Sequence, residues 1–150
     1  MTIDYRNGNL LEVTGGHIVH GCNARGVMGS GVALQIKNKW PSVYQDYRQA
    51  FQEQGLHLGD VQPVVVSPEL VVWNAITQKT YGSGPHRYVD YEAIARCFEK
   101  INTLVSDYPD AEQKIHIPKI GAGLAGGDWP AIAAIIDSVV NVPVIVWVYP

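Results

Sequence analysis

The chain has 150 residues, of which 47% are hydrophobic and 17% charged, and its formal net charge is −3. That length is the usual size of one domain and buries roughly 70% of the unfolded surface, so the fold needs no disulfide or metal staple. The weakly acidic balance argues against general binding to nucleic acid or anionic membranes, but leaves room for a local anion site built from uncharged backbone N–H groups.

Cys22 and Cys97 form no CxxC pattern or metal-type cluster and suit a reducing, cytoplasmic setting. Met1–Asn9 is polar and lacks the apolar run of a signal peptide. No segment approaches the roughly 18 consecutive apolar residues of a membrane span. No repeat or linker divides the chain, so residues 1–150 are expected to form a single domain, and a monomer.

In chain order, Gly15–Gly16 leads into a short strand at His17–His20. A glycine-rich loop follows, then a helix from about Val32 to Lys39. Pro41 and Ser42 punctuate it. A second helix is expected from Ser42 to Gln54, with Val43, Tyr47, Ala50 and Phe51 at helical spacing and Gly55 as its C-terminal cap. Val61–Val66 and Leu70–Ala75 read as strands joined by a turn at Ser67–Pro68. A polar loop spans Thr77–Arg87. Asp90 caps a helix that buries Ile94, Phe98, Ile101 and Val105. Lys114–Ile120 is a strand running into a second glycine-rich loop. Asp128 then caps a helix with Pro130 in its first turn and Ile132, Ile135, Ile136 and Val139 on one face. Val144–Tyr149 is the last strand. Helices alternating with buried Val/Ile-rich strands predict an α/β fold of three layers, α/β/α, around a mixed, largely parallel sheet.

Eight of the fifteen glycines fall in Gly21–Gly31 and Gly121–Gly127. Each segment leaves the carboxyl end of a strand and enters a helix, where such sheets bind ligands. Exposed loop N–H groups and a helix N-terminus together favour anions. Gly121-Ala122-Gly123-Leu124-Ala125-Gly126 matches the GxGxxG dinucleotide fingerprint. That fingerprint belongs at the first βα turn, with an acid about 20 residues on at the next strand's end. Here one strand follows and carries no acid, so no nicotinamide cofactor is expected. GxxxxGK[ST] and GxSxG are both absent, which excludes a P-loop and a hydrolase elbow at Ser30.

Several segments together resemble the macro-domain family. They are Gly8-Asn9-Leu10-Leu11-Glu12, His20-Gly21-Cys22-Asn23, Gly26-Val27-Met28-Gly29-Ser30-Gly31-Val32-Ala33, Asn74-Ala75-Ile76-Thr77 and Ile117-Pro118-Lys119-Ile120-Gly121-Ala122-Gly123-Leu124. The branch resembled contains the yeast-type ADP-ribose 1''-phosphate phosphatase, the terminal ADP-ribose glycohydrolase and DarG-type antitoxins. The resemblance implies an ADP-ribose pocket. In it Asn9 and Leu10 meet the adenine, Gly26 to Val32 wrap the diphosphate and distal ribose, and Gly121 to Gly126 close the other side. Tyr149 stacks on the adenine. Two departures stand out. Asn9 replaces the family's usual aspartate. Gln78 follows Thr77 where the glycohydrolase and antitoxin members have a catalytic lysine, with Lys79 one position later.

His20 is the candidate proton-transfer group. Asn23 is the candidate for orienting substrate hydroxyls or water. Asp128 is an N-cap first and a general base second. Lys79 and Lys119 are candidates for holding a terminal phosphate. A metal shared by His17 and His20 is not expected, because residues three apart on a strand face opposite ways. Cys22 reads as a small buried residue, and the Lys79–Arg87 loop as a lid. The resemblance implies hydrolysis of an ADP-ribose derivative, first ADP-ribose 1''-phosphate. Two alternatives stay open: a hydrolase acting on ADP-ribosylated macromolecules or acetyl esters, and a non-catalytic ADP-ribose reader.

Overall fold

A computed structural model describes residues 3–82 and 84–149. Six strands form one sheet in the order β1-β6-β5-β2-β4-β3. They are β1 (Ile3–Asn7), β2 (Gly16–Asn23), β3 (Val61–Ser67), β4 (Leu70–Gln78), β5 (Ile115–Ile117) and β6 (Val144–Val148). Among the described strand pairs only β3–β4 is antiparallel. The helices are α1 (Gly31–Lys39), α2 (Pro41–Gln54), α3 (Tyr91–Leu104) and α4 (Trp129–Val139).

Strand alternation divides the core into two layers. Val19, Val71, Trp73 and Ile117 pack under α3 and α4 with Ile94, Phe98 and Ile132. Ile18, Cys22, Val72 and Ile76 pack under α1 and α2 with Ile36, Val43 and Tyr47. Each large apolar side chain so buried stabilises the fold by roughly 1.5–3 kcal/mol. Asp90 caps α3 through its side chain, which accepts from the Ala93 N–H at 2.8 Å, and Gly55 ends α2 at φ +76°.

Several boundaries differ from the sequence reading. β1 was not foreseen; it is an edge strand whose Asp4, Tyr5, Arg6 and Asn7 are exposed, so it carries no apolar signal. β2 extends from Gly16 to Asn23. β4 continues through Thr77 and Gln78, which therefore belong to the sheet and not to the loop, and β3 runs through Ser67, which moves the turn to Pro68–Glu69. β5 spans only three residues, because Pro118 has no N–H to continue a ladder. Val105 opens a 3-10 turn after α3. Asp128 holds the N-cap position of α4, yet its side chain makes no capping bond.

Candidate functional site

Parallel pairing brings the carboxyl ends of β6, β5, β2 and β4 side by side, and a cleft of about 1040 Å³ crosses them. His20 to Asn23 form its floor. Val27 and Gly29 to Ala33 form one wall, and Pro118 to Ala125 the other. Trp147, Val148 and Tyr149 close one end; Gln78, Tyr81 and Gly82 close the opposite end. Among the described residues the lining contains no carboxylate, and Lys119 is its one Lys or Arg.

The first loop is fastened by side chains. Asn23 Nδ2 donates to the Val27 carbonyl at 2.8 Å, and its Oδ1 accepts from the Arg25 N–H at 2.9 Å and more weakly from Val27. Tyr47 Oη donates to the Asn23 carbonyl at 2.6 Å and lies 3.0 Å from its Oδ1. Arg48 reaches the Gly26 carbonyl at 3.2 Å. Gly26 sits at φ +76°, and a Cβ there would lie 2.7 Å from the Phe51 ring. Only glycine meets both demands. The loop then enters α1, whose first N–H groups have no partner inside the helix and whose first residues, Gly31 to Ala33, line the cleft.

The second loop is fastened by backbone. Ala122 bonds back to Lys119, Gly126 to Gly123, and Gly127 to Gly121. The Ala125 carbonyl accepts from the N–H groups of Tyr88 and Val89, which ties the loop to the segment after β4. The N–H groups of Gly123, Leu124 and Ala125 have no partner among the described residues. Both walls therefore offer free N–H donors to an anion.

His20 is interior, with 1% of its surface exposed. Its Nε2 lies 2.6 Å from Asn74 Oδ1. The Asn74 amide nitrogen donates to the Val43 carbonyl and to Gln62 Oε1, which turns Oδ1 toward the ring and assigns the proton to His20 Nε2. Burial lowers the His20 pKa to about 4 against the partial support of Asn74, so the ring is neutral at pH 7. Cys22 Sγ lies 3.6 Å from the same nitrogen, and burial, reinforced by Cys97, pushes its thiol pKa up, so it stays protonated. His17 points to the opposite face and accepts from Trp73 Nε1 at 3.0 Å.

Of the residues singled out in the sequence, His20, Asn23, Val27, Gly29, Ser30, Gly31, Val32, Gln78, Lys119, Gly121 to Ala125 and Tyr149 line the cleft. Others do not. Gly26, Met28 and Leu10 are buried beneath it. Asn9 caps a 3-10 turn by accepting from the Leu11 N–H at 3.0 Å and faces a neighbouring pocket. Thr77 lies wholly buried behind Gly21, Lys79 is exposed away from the cleft, and Gly126 and Asp128 stand outside it. The Asp128 N–H donates to Tyr91 Oη. Asn23 and His20 reach the cleft with their polar atoms already committed to the protein. Sequence reasoning missed Tyr81 and Trp147. Tyr81 is an exposed aromatic in the loop after β4; its signal in the sequence is an aromatic standing in an otherwise polar, glycine-bearing loop.

The macro-domain profile matches residues 19–136, and the chain belongs to this family. It is 32% identical over 149 residues to the DNA ADP-ribosyl glycohydrolase of Thermus aquaticus, covering 95% of this chain but 39% of that protein. It is 24% identical over 148 residues to the ADP-ribose 1''-phosphate phosphatase of Lodderomyces elongisporus, covering 91% and 92% of the two chains. The macrodomain protein of Streptomyces coelicolor superposes with a TM-score of 0.81 at 30% identity, covering 99% of each chain.

Proposed function

We propose that the cleft holds an ADP-ribose unit and hydrolyses a phosphate monoester at its distal ribose, with ADP-ribose 1''-phosphate as the substrate. One observation carries this reading: among the described residues, two walls offer free N–H groups, one of them also carries Lys119, and the lining holds no carboxylate. Such a lining suits a ligand with several negative charges. Glycosidic cleavage ordinarily recruits a pair of carboxylates, and the described lining supplies none. Phosphoryl transfer asks the protein mainly for positioning and charge stabilisation. Water attacks phosphorus, the P–O bond to the ribose breaks, the leaving ribose oxygen takes up a proton from that water, and the loop N–H groups and Lys119 stabilise the charge on the equatorial oxygens. His20 enters as a neutral strut in the floor and not as the proton donor, since its Nε2 proton is held by Asn74.

The committed state of His20 and Asn23 favours a second reading, a non-catalytic ADP-ribose reader. Phosphate release from ADP-ribose 1''-phosphate separates the two. The wild-type protein is expected to release phosphate, and Lys119→Met to lose about tenfold in kcat/KM, the worth of a charge-assisted contact. ADP-ribose binding without release identifies the reader. Loss of label from ADP-ribosylated protein or DNA without phosphate release identifies the other hydrolase.

A further inference from the structure

Among the described residues, Trp147 is the one that lines both the cleft and the neighbouring pocket of about 570 Å³. Its indole Nε1–H donates to His116 Nδ1 at 2.9 Å, with the two ring planes 27° apart. An indole nitrogen only donates, so this bond fixes the lone pair of His116 on Nδ1 and its proton on Nε2. His116 is 7% exposed and sits on β5 beside β6. On the other side of the indole, Gly8 adopts φ +154°, and a Cβ there would lie 2.9 Å from Trp147 Cζ3. The Gly8 N–H bonds the Val148 carbonyl at 3.0 Å. The indole is thus held between a buried acceptor and a glycine contact. Val148 and Tyr149, the next two residues, complete that end of the cleft.

We propose that His116 is a positioning residue: by accepting the indole N–H it fixes the rotamer of Trp147, and through it the end of the cleft that receives the adenine of the ligand. This rests on the ADP-ribose reading above and goes beyond it, because His116 touches neither cleft nor ligand. The neutral ring is essential, since a protonated His116 has no lone pair to offer. Burial and the nearby Lys114, Arg6 and His17 hold its pKa down to about 4, against the opposing Glu112.

The test compares His116→Phe, which keeps an aromatic ring but loses the acceptor, with His116→Gln, whose Oε1 can accept. Affinities for ADP-ribose and for 5'-AMP are measured by calorimetry. Exchange of the Trp147 indole N–H is followed by NMR in the ligand-free protein. His116→Phe should weaken ADP-ribose and AMP by the same factor, roughly three- to tenfold for one lost hydrogen bond. It should also speed indole exchange. His116→Gln should stay near wild type on all three readouts. The proposal is overturned if Phe and Gln variants fall together, if neither changes AMP affinity, or if ADP-ribose weakens while AMP does not. Should the wild type bind no ADP-ribose, the reading of the cleft fails. Indole exchange still decides whether His116 holds the ring.

Discussion

The two glycine-rich loops face each other across one cleft and are held by opposite means. The first is held by side chains from a neighbouring layer: Asn23 from β2 and Tyr47 and Arg48 from α2. The second is held by its own backbone and by two N–H groups from the segment after β4. One wall therefore depends on side-chain identity at a few buried positions, with a glycine required at Gly26. The other depends on conformations that only glycine adopts cheaply. Two loops of similar composition are rigid for different reasons, and they should fail differently.

Acid should act most strongly, and on the first wall before the second. His17, His20 and His116 are buried neutral with pKa values lowered to about 4, whereas in the unfolded chain they titrate near 6.5. Between these values the unfolded chain binds protons that the folded one does not. Their contribution to stability is therefore complete above about pH 6.5 and is lost as pH falls toward 4. Urea unfolding near pH 5 should take up close to three protons per molecule, the sum of these three groups. A pH-independent midpoint from 7 to 5 would contradict this. His20 braces the layer under the first loop, and none of the hydrogen bonds that tie the second loop involves a titrating side chain. Amide exchange should accordingly rise first at residues 24–30.

Asn23→Ala comes next. It removes the bonds to Arg25 and Val27 and leaves the Val27 carbonyl without its donor, a loss of about 3 kcal/mol in urea unfolding. Loosening should be confined to the first wall. If the amides of residues 121–127 exchange faster by the same factor, the walls are not independent.

The smallest effects should come from a pair of substitutions in the second loop. Gly126 has φ +74°, and a Cβ there would lie 2.7 Å from the His86 carbonyl oxygen. Gly126→Ala should cost about 2 kcal/mol, from left-handed backbone plus the clash. Gly123 has open space around it, so Gly123→Ala should stay within about 0.5 kcal/mol of wild type. Equal thermal shifts for the two would show that backbone conformation does not set this wall.

The sequence reading recovered the layers, the parallel sheet and both loops, because glycine placement and apolar periodicity are local signals. β1 escaped it because an exposed edge strand is polar. Thr77 and Gln78 escaped it because polar residues at a strand end look like loop. The sequence singles out His20 as the proton-transfer group; it lines the cleft, but its hydrogen bonding turns on Asn74, which is 54 residues away, and on Gln62 and Val43 beyond that. No local pattern encodes that chain of partners. Trp147 falls within the expected strand Val144–Tyr149 and nothing in the sequence singles it out. Its tie to His116 spans 31 residues, and periodicity does not reveal it.

The strand order also sets a schedule. β1 pairs with β6, matching Ile3 to Val144, and β2 pairs with β5, matching His17 to Ile115. As the ribosome releases the chain, β1 waits for nearly the whole sequence before its neighbour exists. The end of the cleft made by Trp147, Val148 and Tyr149, beside Gly8, is the last part of the sheet to close. Long-range pairing of this kind slows folding and leaves β1 exposed to mispairing in the interval, and its charged Asp4 and Arg6 limit that hazard. Any ligand that needs both ends of the cleft meets a finished sheet and never a nascent one.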